Sequence, residues 1–348
     1  MPENINTVPL TEPPVTEQTL QSEKAFSRVL LRIGLALTVF AFLPTLLALG
    51  FSKLASLFFP ALIGTEIYLY AQQILILYVI TIPLCMLIIG RPREEERPAL
   101  QGKKYCKPLA LLIFFCVAEF FAIAGNLLGT VLMNIVGILR GVTPENSLNS
   151  LLQNSSPITV LLVVVILGPI MEELLFRYAI TRRLLPYGEK TAVLLTGLFF
   201  GLAHDNFYQF FYCFAIGALF SYVYVRTKNL LYPLLLHIFF NFYGGFLPTL
   251  FMGMLPTDPS DPSKINILFE NIFAYAVSIL SYAVYILLTY VAAIAGFVLF
   301  CIFLPKLRFA PSLLPIRPER RTRILFCNAG VILFLLSSVL ILAFSLFS

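Results

Sequence analysis

Histidine is nearly absent from this chain, with two in 348 residues, His204 and His237. Charge is scarce as well. Only 12% of residues are charged, against roughly 25% in an ordinary soluble domain, so an ordinary water-exposed surface is excluded. The six cysteines (Cys85, Cys106, Cys116, Cys213, Cys301, Cys327) have no C-x-x-C spacing, and five lie in apolar runs. That argues against a disulfide framework or a thiolate metal cage and leaves small packing residues. No Gly-rich phosphate loop, G-x-S-x-G elbow or H-E-x-x-H helix occurs, which removes three common hydrolase signatures, although not every metal site. Neither an internal repeat nor a soluble domain stands out.

Apolar residues are abundant, at 59%. They form runs of 18 or more, the length a helix needs to cross a bilayer. The expected fold is all-α, a polytopic transmembrane bundle of eight or nine spans. Residues 1–27 are expected to form a polar, disordered cytoplasmic tail. Residues 28–348 are expected to form one transmembrane domain, with a catalytic core at about 157–250. Spans are expected at about 32–51, 67–90, 109–139, from Pro157 to the Arg182-Arg183 pair, 191–204, 210–225, 230–250, within 265–304, and 324–347. A separate interfacial stretch is expected at 54–63. The net charge of +6 is spread over short loops. Segments 91–107, 182–190, 226–228 and 306–323 are rich in Lys and Arg, whereas 141–156 and 205–209 have none. The positive-inside rule puts the basic loops and the N-terminus in the cytoplasm. The same distribution argues for the lipid bilayer as a partner and against nucleic acid.

Ionisable side chains at bilayer depth are costly and usually face a bundle interior. The fourth run carries Glu172-Glu173-Leu-Leu-Phe-Arg177. Adjacent helical residues point about 100° apart, so the two carboxylates cannot aim at one spot. Arg177 stands at i+4 from Glu173 and can pair with it, leaving Glu172 free for general-base work. A structural Glu–Arg pair with one interfacial Glu accounts for this motif equally well. The segment Phe200-Gly-Leu-Ala-His204 stacks a ring one turn before an imidazole, and His237-Ile-Phe-Phe-Asn241 puts an imidazole and an amide on one face. Taken singly, each histidine reads best as an interhelical hydrogen bond. Counted at 1.5 Å per residue from the basic loops, Glu172, His237 and His204 lie roughly 15, 14 and 21 Å deep, so they can meet inside the membrane. Glu119 is a further carboxylate in an apolar run that could line the same cavity, but with no motif around it a structural hydrogen bond is the expected role. Asp205 is expected to mark a helix end.

Together these segments resemble the CPBP family of CAAX proteases and bacteriocin-processing enzymes, also called Abi, which includes the type II prenyl-protein endopeptidases of eukaryotes. The family pattern stands here as Glu172-Glu173-x-x-x-Arg177, Phe200-x-x-x-His204 and His237-x-x-x-Asn241. Gly168-Pro169 precedes the first motif; Arg226-Thr-Lys-Asn-Leu230 and Pro233 precede the last. Tyr178 departs from the Gly that many members carry after the Arg. The resemblance covers about 157–245 and implies endoproteolysis of a membrane-associated peptide or protein. It implies Glu172 as the water-activating base assisted by His204, with His237 and Asn241 as oxyanion donors. Glu173 and Arg177 would hold the helix face. Zinc on Glu172, His204 and His237, and a metal-free mechanism, are both compatible with these residues. A non-enzymatic scaffold or immunity protein that kept the motif is the alternative. A proton relay would call for carboxylates through the whole depth and an inverted repeat. The expected setting is a bacterial cytoplasmic membrane.

Overall fold

Side-chain caps and prolines start most of the helices. In the computed structural model, which describes residues 16–346 except 95, 98–100, 103, 145, 154 and 254–271, Thr16 accepts from Thr19 N to open α1, Glu17–Phe58. Thr65 does the same for α2, Glu66–Ile89. Pro108 stands at the start of α3, Pro108–Arg140, which stops at Gly141 with φ 78°. Ser156 and Pro157 open α4, Pro157–Tyr187. A short helix, α5, Glu189–Leu202, leads through Asp205 (φ 56°) to α6, Phe207–Thr227, capped by Asn206. Then follow α7, Leu231–Phe251, α8, Ile272–Phe303, α9, Pro318–Phe326, and α10, Ala329–Ser345. Among the described residues there is no strand. The chain is an integral, multi-pass, all-α membrane protein.

Among the described residues seven helices are long and apolar enough to cross a bilayer, and the pair α9 and α10, bent by 46°, makes eight if it is one span. The reading of nine counted 191–204 as a span. Its helix, α5, has 14 residues, or about 21 Å, against a hydrocarbon core of ~30 Å. Helix also begins earlier than the tail expected over 1–27 would allow. Residues 17–27 belong to α1, because Glu23 binds Arg317 through Nε and Nη2, both at 2.8 Å, and Ala25 and Phe26 are buried. The apolar stretch at 54–63 is not separate, since α1 runs through to Phe58. Residues 254–271, which include the first part of the segment 265–304 expected to hold a span, lie outside the described residues.

The basic loops gather at one end of the bundle. Lys104 N donates to Thr227 O at 2.8 Å, Glu96 binds both Arg183 and Tyr187 Oη, and Glu189 accepts from Arg226 and Ala310 N. The other end joins Glu66 to Ser156 N at 2.7 Å and Tyr208 Oη to Pro144 O at 2.8 Å. With its two ends so defined, α4 runs toward the basic end, α5 runs back to mid-depth, and α6 returns. Close backbone approach lets α3 join this group. A Cβ on Gly125 would stand 2.7 Å from Tyr212 Cα, too close for any side chain, so the two helices cross in contact.

Candidate active site

The Glu-Glu pair sits on α4 between two π-helical stretches, Val160–Leu167 and Leu174–Thr181. In such a stretch an N–H reaches the carbonyl five residues back. Gly168 N bonds Val163 O in this way. The next N–H, which would serve Val164 O, belongs to Pro169 and does not exist. Asn241 fills the gap: its Nδ2 donates to Val164 O at 2.9 Å. The second stretch is tied down by Thr181, which donates to Phe176 O at 2.9 Å and lies 3.1 Å from Thr196 of α5 and 3.3 Å from Ser221 of α6. These contacts fix the rotation of the α4 segment Gly168–Glu173 relative to the neighbouring helices. π-Segments of this kind are frequent at functional sites.

The two carboxylates part as helical geometry requires. Glu173 is fully sealed, while the side chain of Glu172 keeps 29% exposure toward a cavity. Arg177 Nη1 lies 3.0 Å from Glu173 Oε1, and its Nη2 donates to Gly217 O at 3.3 Å. The guanidinium is stacked between Phe200 and Phe220, 4.7 and 5.6 Å from the ring centroids. A buried charge pair persists only with such close compensation. Glu173 has a second task that the motif did not reveal: Oε1 is also 2.8 Å from His237 Nδ1. A carboxylate accepts only, so Nδ1 of His237 carries a proton and Nε2 is left toward Glu172 Oε2, at 3.6 Å.

His204 is held by its own helix. Its Nδ1 donates to Phe200 O at 2.7 Å, which assigns the tautomer and turns Nε2 outward as an acceptor. The Phe200 ring meets both imidazoles edge-on, with centroids 4.7 Å from His204 and 5.9 Å from His237. One phenyl ring therefore spaces the two histidines.

Glu172, His204, His237 and Asn241 all line one cavity of ≈ 800 Å³. Its other walls include Gln73 and Tyr78 of α2, Glu119 and Asn126 of α3, and Tyr290 of α8. Glu119 is buried and lines this cavity, and among the described residues its Oε1 lacks the hydrogen bond expected of it. Tyr78 and Gln73 were not found by sequence reasoning, since no pattern surrounds them. An isolated acid within an apolar run was the available signal for Glu119. As for zinc, Glu173 on His237 Nδ1 leaves Nε2 as the available donor, but among the described residues no three His, Cys, Asp or Glu side chains form a group that could hold a metal ion. The donor set as placed does not fit a resident metal.

Residues 154–243 match the family model for type II CAAX prenyl endopeptidase, Rce1-like. The chain is 31% identical over 208 residues to the membrane-embedded CAAX protease MroQ of Staphylococcus aureus (strain USA300), covering 58% of this chain and 81% of that protein. It is 28% identical over 185 residues to YdiL of Bacillus subtilis (strain 168), a candidate membrane peptidase by name, covering 51% of this chain and 72% of the relative. It is also 28% identical over 127 residues to the UPF0177 protein YxdF of Lactococcus lactis (strain IL1403), covering 36% and 71%. No solved structure matches the chain.

Proposed function

The chain belongs to the CAAX protease family of membrane-embedded proteases, and on that premise we propose a glutamate-based endopeptidase that hydrolyses a peptide bond of a membrane-associated peptide or protein. The observation that carries this reading is the division of the glutamates. Glu172 faces the cavity shared with His204, His237 and Asn241, while Glu173 is sealed behind it by Arg177.

A water held between Glu172 and Nε2 of His204 loses a proton to the Glu172 carboxylate as its oxygen attacks the scissile carbonyl. The resulting oxyanion accepts from the Asn241 Nδ2–H not committed to Val164 O. It also accepts from Nε2–H of His237 in its doubly protonated form, with the Glu173 carboxylate on Nδ1 as counter-charge. Collapse of the tetrahedral intermediate breaks the C–N bond, and Glu172 returns its proton to the leaving nitrogen. Arg177 touches no reacting atom. It holds Glu173, and through Glu173 it holds the His237 ring. The proposed steps use these side chains alone.

The N-terminus and the basic loops face the cytoplasm in this account, and the membrane is a bacterial cytoplasmic membrane. The test is reconstitution in vesicles with a membrane-anchored peptide, reading the new N-terminus by mass spectrometry, with and without EDTA. Cleavage that persists in EDTA is the expected result. Cleavage lost to EDTA and restored by zinc would replace this mechanism with one in which Glu172 and the histidines are ligands.

A further inference from the structure

The cavity holds a second carboxylate that the mechanism does not use. Glu119, on α3, is 3% exposed, and its Oε1 is buried without a hydrogen-bond partner among the described residues. Among the described residues that line the cavity, the ionisable groups of the acidic or basic kind are Glu119, Glu172 and the two histidines; no Lys or Arg is present. Glu172 has His237 Nε2 at 3.6 Å, whereas Glu119 takes part in no ion pair among the described residues. A carboxylate desolvated at this depth without a partner is costly, and such groups persist where something complementary visits them. The surrounding chain is fixed: Ala118, next to Glu119, packs into a buried cluster with Phe115, Ile216 and Phe220.

We propose that Glu119 is a specificity residue that receives a basic side chain of the peptide substrate in this cavity, a deepening that rests on the endopeptidase reading above. An endopeptidase cuts internal bonds, so no free α-amine stands near the scissile bond of its substrate. The cation that Glu119 receives is thus the ammonium of a Lys or the guanidinium of an Arg at one position along the peptide. Asn126, two turns further along the same face of α3, also lines the cavity and adds an amide to the same wall.

The test uses the full-length protein in vesicles and a set of membrane-anchored peptides that differ at single positions, Lys or Arg against the uncharged norleucine and Gln. The wild-type enzyme is expected to prefer the basic residue at one position by roughly 10–100-fold in kcat/KM, the size of a charge-assisted hydrogen bond. In Glu119→Gln that ratio should fall toward one, and Glu119→Asp, which keeps the charge, should retain more of it. A structural role would lower turnover of basic and neutral peptides alike and leave the ratio intact. Equal cleavage of basic and neutral peptides by the wild type overturns the proposal, as does an unchanged ratio in Glu119→Gln; in both cases cleavage itself upholds the endopeptidase reading. Absence of any cleavage by the wild type defeats that reading, and this proposal falls with it.

Discussion

Replacing Arg177 by Ala should destabilise the protein far more than an ordinary polar substitution would. The guanidinium and the Glu173 carboxylate are both fully buried, 3.0 Å apart. At an effective dielectric of 20, unit charges at that distance attract by about 5 kcal/mol. Truncation also leaves the Glu173 carboxylate uncompensated and removes the stack on Phe200 and Phe220. His237 Nδ1, still 2.8 Å from Glu173, offsets part of that cost. The expected loss is ~3–5 kcal/mol, the range for breaking one side of a buried pair. Glu173→Gln should cost a similar amount, because it strands the cation. The double variant Glu173→Gln with Arg177→Met removes both charges and should be more stable than either single variant, giving a coupling energy of at least ~2 kcal/mol. The assay is reversible unfolding in mixed micelles by SDS titration, followed by circular dichroism. A loss under ~1 kcal/mol for Arg177→Ala, or strict additivity in the cycle, would refute the view that this pair holds the site.

His204→Ala should lower kcat by roughly 10²–10⁴-fold with little change in unfolding, since only its backbone-bonded imidazole is lost. Asn241→Ala should lower both quantities: turnover by roughly 10²–10³-fold through the oxyanion, and stability by ~1–3 kcal/mol because Val164 O loses its partner. For topology, single cysteines introduced at positions within 182–190, 226–228 and 306–323 should all label from the cytoplasmic side; labelling of these segments from opposite sides would defeat the assigned orientation.

Much of the site was legible because its contacts are local. The i,i+4 spacing of Glu173 and Arg177 predicted their pairing, and the same spacing predicted the Phe200 ring against His204. The 100° step between Glu172 and Glu173 predicted which would be free. Contacts that depend on how helices pack were not legible. Glu173 and His237 lie on different helices, and nothing in either motif says that Oε1 serves both the guanidinium and the imidazole. Asn241 on Val164 O follows only once the π-helical register before Pro169 is known. Glu119 has no neighbouring motif, so its place in the cavity had to come from the packing of α3 on α6. The early start of α1 depends on Glu23 binding Arg317, 294 residues further along the chain. The shortness of α5 follows from the turn at Ala203–Asp205, which an apolar run does not display.

The central claim is that Glu172 is the base, and Glu172→Gln tests it most directly. The exchange keeps the side-chain volume and the ability to accept a hydrogen bond while removing the group that takes the proton from water. Single-turnover cleavage of a membrane-anchored peptide in vesicles is the measurement, with SDS unfolding as the control for folding. The account predicts a rate lower by ~10²–10⁴-fold or more and near-wild-type unfolding. Cleavage by Glu172→Gln at the wild-type rate would contradict it.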